Sequence, residues 1–92
     1  MSAPVLDLLK TPSAILDYAI DWSAWLAGDT IATSTWAVHP DLTVQSTDAS
    51  TTLATIWLGG GRLGVTYLVA NTITTVVGRQ ETRTIQLRCE AR

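Results

Sequence analysis

The chain has 92 residues, 47% of them hydrophobic and only 15% charged, with six basic and eight acidic side chains and a net charge of −2. That length allows one domain, the scattered charges offer no cationic patch to a phosphate backbone and so exclude nucleic acid as a partner, and the lone Cys89 allows neither an internal disulfide nor a zinc site. The N-terminus lacks a basic flank before an apolar segment and no run approaches about 18 apolar residues, so neither a signal peptide nor a membrane span is expected and the protein is expected to be made in the cytoplasm and kept soluble or assembled there.

Residues 1–13 are expected to form an N-terminal arm outside a single domain of residues 14–92. A helical turn is predicted around Val5 to Lys10, bracketed by Pro4 and Pro12. The arm's apolar Val5, Leu6, Leu8 and Leu9 lie outside any strand pattern, so its order is expected to depend on a neighbouring subunit. Beyond it, fifteen threonines and many valines and isoleucines favour strands almost throughout, because β-branched side chains crowd a helix but suit a pleated surface.

From Ala14 to Trp22 the alternation places Leu16, Tyr18, Ile20 and Trp22 on one face and Ile15, Asp17, Ala19 and Asp21 on the other, which predicts a half-buried strand. Trp25 and Leu26 lead into the turn Ala27-Gly28-Asp29. Thr30 to Val38 reads as the next strand, with Ala32, Ser34, Trp36 and Val38 sharing a side, and His39-Pro40-Asp41 ends it. Leu42 to Val44 is a short strand, followed by QSTDASTT as a polar loop. Leu53 to Leu58 carries apolar residues on both faces, Leu53 and Trp57 against Ala54, Ile56 and Leu58, so it is expected at the centre of a sheet or under a partner. GGGRLG then reads as a hairpin loop with Arg62 exposed at its tip. Val65 to Val77 is the longest extended run, Gly78-Arg79-Gln80 turns it, and the last strand points Ile85, Leu87 and Cys89 inward. Strands this short with turns this close predict an all-β protein, a small antiparallel β-sandwich of immunoglobulin-like character, with a small barrel as the rival.

None of the reactive residue types forms a convincing centre. GGGRLG lies between strands, whereas phosphate loops open a helix. His39 beside a proline and Cys89 on an apolar face read as a turn residue and a buried hydrophobe rather than a base and a nucleophile. Asp17, Asp21, Asp29, Asp41 and Asp48 match no calcium loop. No catalytic residue, metal or cofactor is therefore expected. The low charge instead suggests that part of the surface is covered by other proteins or by copies of the chain. Trp22 and Trp36 are assigned to the core, while Trp25, beside the turn, either caps the core, anchors an interface or stacks on a sugar or base. A free carbohydrate-binding module would use Trp25 and Tyr67.

The combination of AILDYAIDWSAWLAGDTI, STWAV, TTLATIWLGGGRLGVTYLVANTITTVVGR and RTIQLRCEAR resembles a family of small proteins encoded among the structural genes of tailed bacteriophages, over nearly the whole chain after Pro12. The resemblance implies a non-enzymatic virion component, a fibre-to-tail adaptor foremost, docking on the tail or neck and helping to attach fibres or spikes. Capsid decoration is the alternative. The implied partners are other tail, neck, fibre or capsid subunits, in several symmetric copies, with no membrane. The expected contact residues are Val5, Leu6, Leu8, Leu9, Trp25 and Arg62.

Overall fold

The structure, a computed structural model, describes the backbone of residues 5–10 and all of residues 14–89. In chain order the described elements are β1 (Val5–Lys10), β2 (Leu16–Asp21), α1 (Ser23–Leu26), β3 (Ile31–Ala37), β4 (Leu42–Ala49), β5 (Leu53–Gly60), β6 (Thr66–Thr75) and β7 (Gln80–Cys89). They form one sheet in the order β1-β7-β6-β3 and a second in the order β2-β5-β4. Every pairing is antiparallel except β1 with β7. This is the antiparallel sandwich expected of the alternation, with its strands divided between the two layers as in immunoglobulin-like domains.

The inner faces follow from the period of two. Tyr18, Ile20 and Trp22 on the β2 side, Ala54, Ile56 and Leu58 on β5, Tyr67, Val69, Asn71 and Ile73 on β6, and Ile85, Leu87 and Cys89 on β7 are all buried. Trp25, Ile31, Trp36 and Val38 pack against this core at its margins. One polar group sits in the middle. Asn71 is fully buried, accepts a hydrogen bond at Oδ1 from Trp22 Nε1–H (2.9 Å), and donates through Nδ2 to Ser34 Oγ (2.8 Å) and to the Thr35 carbonyl (3.0 Å). Because Trp22 follows β2 and Asn71 lies on β6, the bond ties the two sheets together, and each amide atom that needs a partner has one.

Several sequence expectations are corrected. Val5–Lys10 is a strand, not a helical turn: it runs parallel to β7 from Val5↔Thr84 to Lys10↔Cys89, supplying backbone partners that β7 would otherwise lack on that side. The polar QSTDA segment is not a loop but the second half of β4, paired with β5 through Ala49↔Ala54. Only Leu42 of β4 is buried, since an edge strand is held by its ladder hydrogen bonds and needs no apolar alternation. In β3 the pairing with β6 shifts between Ile31 and Thr33. This bulge puts Ile31, rather than Ala32, on the side of Ser34, Trp36 and Val38. The β6–β7 turn lies two residues upstream of the predicted one, at Val76 to Gly78, closed by Gly78 N–H donating to the Thr75 carbonyl (2.9 Å) and Thr75 N–H to the Arg79 carbonyl (2.8 Å).

The Tyr18 phenol is buried with no hydrogen-bond partner for its hydroxyl. Burial foremost, with neighbouring Cys89 and Asp17, pushes it up to about 12. An unpaired buried hydroxyl costs roughly 1–3 kcal/mol. Tyr18→Phe is therefore expected to leave stability unchanged or raise it by about 1 kcal/mol, and to reduce the loss of stability expected of the native side chain between about pH 10 and 12, because a raised phenol pKa favours the folded state only while the group stays protonated. Urea titration at pH 7 and pH 11 checks both, and a clear loss of stability at pH 7 would contradict the expectation.

Candidate interaction surfaces

One end of the sandwich gathers α1, the β4–β5 turn and the β6–β7 turn: Trp22 and Ile31 N–H groups donate to the Thr52 and Thr51 carbonyls, and Val76 N–H to that of Thr30. Here the aromatic and cationic side chains form a stack. Arg83 lies over the Trp22 ring (4.4 Å), Trp22 meets Trp25 edge to face (5.5 Å, 71°), and Arg79 covers Trp25 (4.3 Å). Arg79 also donates to the Leu26 carbonyl at the end of α1 (2.8 Å) and pairs with the Asp29 carboxylate (3.2 Å). That carboxylate is held below its ordinary range, by the Thr75 hydroxyl foremost and then by the Thr30 N–H and Arg79, against the opposing effect of burial. Trp25 is thus a half-buried cap on the core whose outward face is taken by Arg79.

The other end carries the β3–β4 and β5–β6 connections. Tyr67 is buried; its hydroxyl accepts from the Arg62 N–H (2.8 Å) and donates to Asp41 Oδ2 (2.9 Å). Burial pushes this phenol up, the Arg62 N–H works against that, and Asp41 adds to it. His39 leans on the Tyr67 ring (5.1 Å), and its Nδ1 accepts from the Asp41 N–H (3.0 Å). Arg62 is exposed, with its guanidinium 3.4 Å from Asp41. The GGGRLG segment is not a hairpin loop: β5 belongs to one sheet and β6 to the other, so it crosses between layers. Gly60 and Gly61, at φ +75° and +96°, make that crossing against the Asp41 carbonyl and Cys89.

Strand geometry separates the two ends. Tyr67 and Thr75 stand eight residues apart on β6, about 26 Å at 3.3 Å per residue, and Trp25 lies beyond Thr75's end while Arg62 bonds to Tyr67. Trp25 and Arg62 therefore share no surface. Nor do Trp25 and Tyr67 form a stacking platform for sugars, since Tyr67 is buried and both of its hydrogen-bonding directions are used internally. Val5, Leu6, Leu8 and Leu9 fall in β1 at the border of the four-stranded sheet; their side chains lie outside the described residues, as do residues 1–4, 11–13 and 90–92 of the arm and the C-terminus. His39 is exposed and engaged with Tyr67 and Asp41, and Cys89 is buried.

The strand expected at the centre of a sheet or under a partner, β5, is central, and its second apolar face looks outward from the three-stranded sheet. Trp57 stands 41% exposed there, between Asp17 of β2 and Ser46 of β4 in register, with Leu53 (38%) opposite Asp21 and Ile15 (54%) beside Gly59. Asp48 pairs with Thr55 on the same face. The charges are segregated, not scattered. No lysine or arginine occurs between Lys10 and Arg62, a stretch that contains Asp17, Asp21, Asp29, Asp41 and Asp48. The signal was present in β5 itself, whose two apolar faces cannot both meet one core.

The profile of the family described as Podophage GP4 fiber-tail adaptor protein gp77 matches residues 10–88. The chain belongs to this family. The resemblance seen in AILDYAIDWSAWLAGDTI and TTLATIWLGGGRLGVTYLVANTITTVVGR is thereby confirmed, and membership makes this fiber-tail adaptor relative a structural component of a phage particle that works through contacts with other tail or fibre proteins. No curated protein matches it by sequence. Among solved structures, the PKD domain from the KIAA 1837 protein, determined in solution, is similar at a TM-score of 0.52 and 18% identity, over 100% of this chain and 87% of that one. At that identity the likeness concerns the fold alone, and it agrees with the immunoglobulin-like layering of the adaptor. Among the described residues, no three acidic, histidine or cysteine side chains are grouped to hold a metal ion, and no helix is long and apolar enough to cross a membrane.

Proposed function

We propose that the protein docks on the tail or neck of a tailed-phage particle and helps to attach fibres or spikes there, in several copies and without chemistry of its own. The observation that carries this reading is the family match over residues 10–88. The fold supports it: a sandwich stapled across its layers by Trp22–Asn71 keeps its shape while large apolar side chains on its outer faces stay exposed. Residues 1–13, with Val5, Leu6, Leu8 and Leu9, add to the attachment in the same reading.

The test is deletion of the gene followed by imaging of particles, with immunolabelling of the complemented protein. Particles with normal heads but missing fibres, and label at the tail or neck, are the expected result. Fibres retained on deletion would overturn the reading, and label spread over the head would favour capsid decoration. Because residues 5–10 also pair with β7, a chain beginning at Ala14 whose thermal melt matches the full chain's is expected to enter particles less well, and equal incorporation would remove the arm from the account.

A further inference from the structure

We propose that the outer face of the β2-β5-β4 sheet is a docking surface, centred on Trp57, for another virion protein that presents an apolar pocket bordered by arginine or lysine. The proposal rests on the adaptor reading and adds to it which face is used and what chemistry the partner must carry. Three observations converge. First, Trp57 and Leu53 are exposed in the central strand of a sheet, where Ile15 extends the same apolar stripe over Gly59. A tryptophan left in water on a flat sheet forgoes the burial that makes this side chain the commonest energetic anchor of interfaces.

Second, the stripe is bordered on both sides by carboxylates. Asp17 lies directly across from Trp57 on β2, Asp48 across from Thr55 on β4, and Asp21 across from Leu53. Asp21 is engaged within the chain, its carboxylate accepting from the Ser23 N–H (2.9 Å) and its carbonyl from Arg83 (3.2 Å), whereas Asp17 and Asp48 make no hydrogen bond or ion pair among the described residues. Third, β2, β4 and β5 contain no cation at all. An apolar centre with a rim of one sign selects a partner whose rim has the other, because a like-charged rim would be repelled and a neutral one would leave the carboxylates desolvated without compensation. Arginine fits best, since its planar fork can pair with a carboxylate and stack on an indole together.

Particles lacking this chain, complemented with wild-type or variant protein, provide the test, with copies of the chain per purified particle measured by quantitative mass spectrometry. Trp57→Ala is expected to lower incorporation about thirtyfold, the effect of losing a central interface tryptophan, and Asp17→Lys by about tenfold or more through charge reversal. Leu68→Ala, which truncates an exposed side chain on the opposite sheet, is expected to incorporate as wild type. All three positions face solvent, and matching thermal melts of the purified variants establish that folding is not the cause; Asp17→Lys decides the matter alone if Trp57→Ala melts early. Wild-type protein is also expected to be released from particles by salt. Normal incorporation of Trp57→Ala and Asp17→Lys would overturn the proposal while leaving the adaptor reading intact if deletion still removes fibres. Concentration-dependent self-association of the purified chain that Trp57→Ala abolishes would make the occupant a second copy, and would overturn the proposal as well.

Discussion

Trp22→Ala is expected to destabilise the domain by about 4 kcal/mol, within the range for emptying a large aromatic site in a core, which for a domain of this size is comparable with the whole folding free energy of about 5–10 kcal/mol. The size of the effect comes from three losses at one position. The ring is fully buried and fills the space between the sheets at the end of β2. Its Nε1–H is the donor that satisfies Asn71 Oδ1, and the ring is the surface on which Arg83 lies and against which Trp25 packs. Trp22→Phe separates the terms. It keeps much of the apolar volume but leaves Asn71 Oδ1 buried without a donor, so a loss of about 2 kcal/mol is expected. Guanidinium titrations followed by circular dichroism measure both variants. A loss under 1 kcal/mol for Trp22→Ala would mean that the indole is not the staple between layers described above.

Gly61→Ala is expected to cost about 3 kcal/mol, the sum of a backbone penalty of roughly 1–3 kcal/mol and an overpacking penalty of similar size. Residue 61 adopts φ +96°, and an added Cβ would stand 2.5 Å from Cys89 Sγ and 3.2 Å from Leu42 Cδ2. Neither neighbour can retreat easily, since Cys89 is fully buried and Leu42 nearly so. Gly64→Ala and Gly78→Ala provide the comparison. Both residues have positive φ, yet nothing lies within 4 Å of an added Cβ, so only the backbone term of about 1 kcal/mol remains. Thermal melts of the three variants should rank Gly61 far below the other two. The double variant Gly61→Ala, Cys89→Ala should recover the contact part and none of the backbone part, giving a coupling energy on the order of 1–2 kcal/mol. Equal melting of all three single variants would remove the close packing at the sheet crossing from the account of stability.

The candidate surfaces were legible unevenly. Trp25 and Arg62 stood out because one is an aromatic beside a turn and the other a cation in a glycine run, but the fold sends them to opposite ends and occupies each with internal partners, Arg79 for the first and Asp41 for the second. Trp57 was hidden by its own strand. A sequence shows that β5 has two apolar faces, and both a central position and a covering partner explain that; only the placement of Ala54, Ile56 and Leu58 against the other sheet leaves Trp57 and Leu53 on the outside. The charge segregation was readable from the start, yet it becomes a property of a surface only once β2, β4 and β5 are known to lie in one sheet.

The alternation of side chains by itself determined that β2, β5, β6 and β7 are strands and, for β2 and β7, which residues point inward, because a period of two and β-branched composition act within a few residues. Tertiary structure alone decided the edges, the crossing and the staple. β1 and the second half of β4 exist because β7 and β5 offer backbone hydrogen-bonding groups along their sides, a demand that leaves no mark on side-chain pattern. The bulge in β3, the passage of Gly60 and Gly61 from one layer to the other, and the bond from Trp22 to Asn71 depend on residues tens of positions apart being brought within hydrogen-bonding distance. Local sequence encodes which way a side chain leans on its own strand, whereas what it meets is set by the packing of the two sheets.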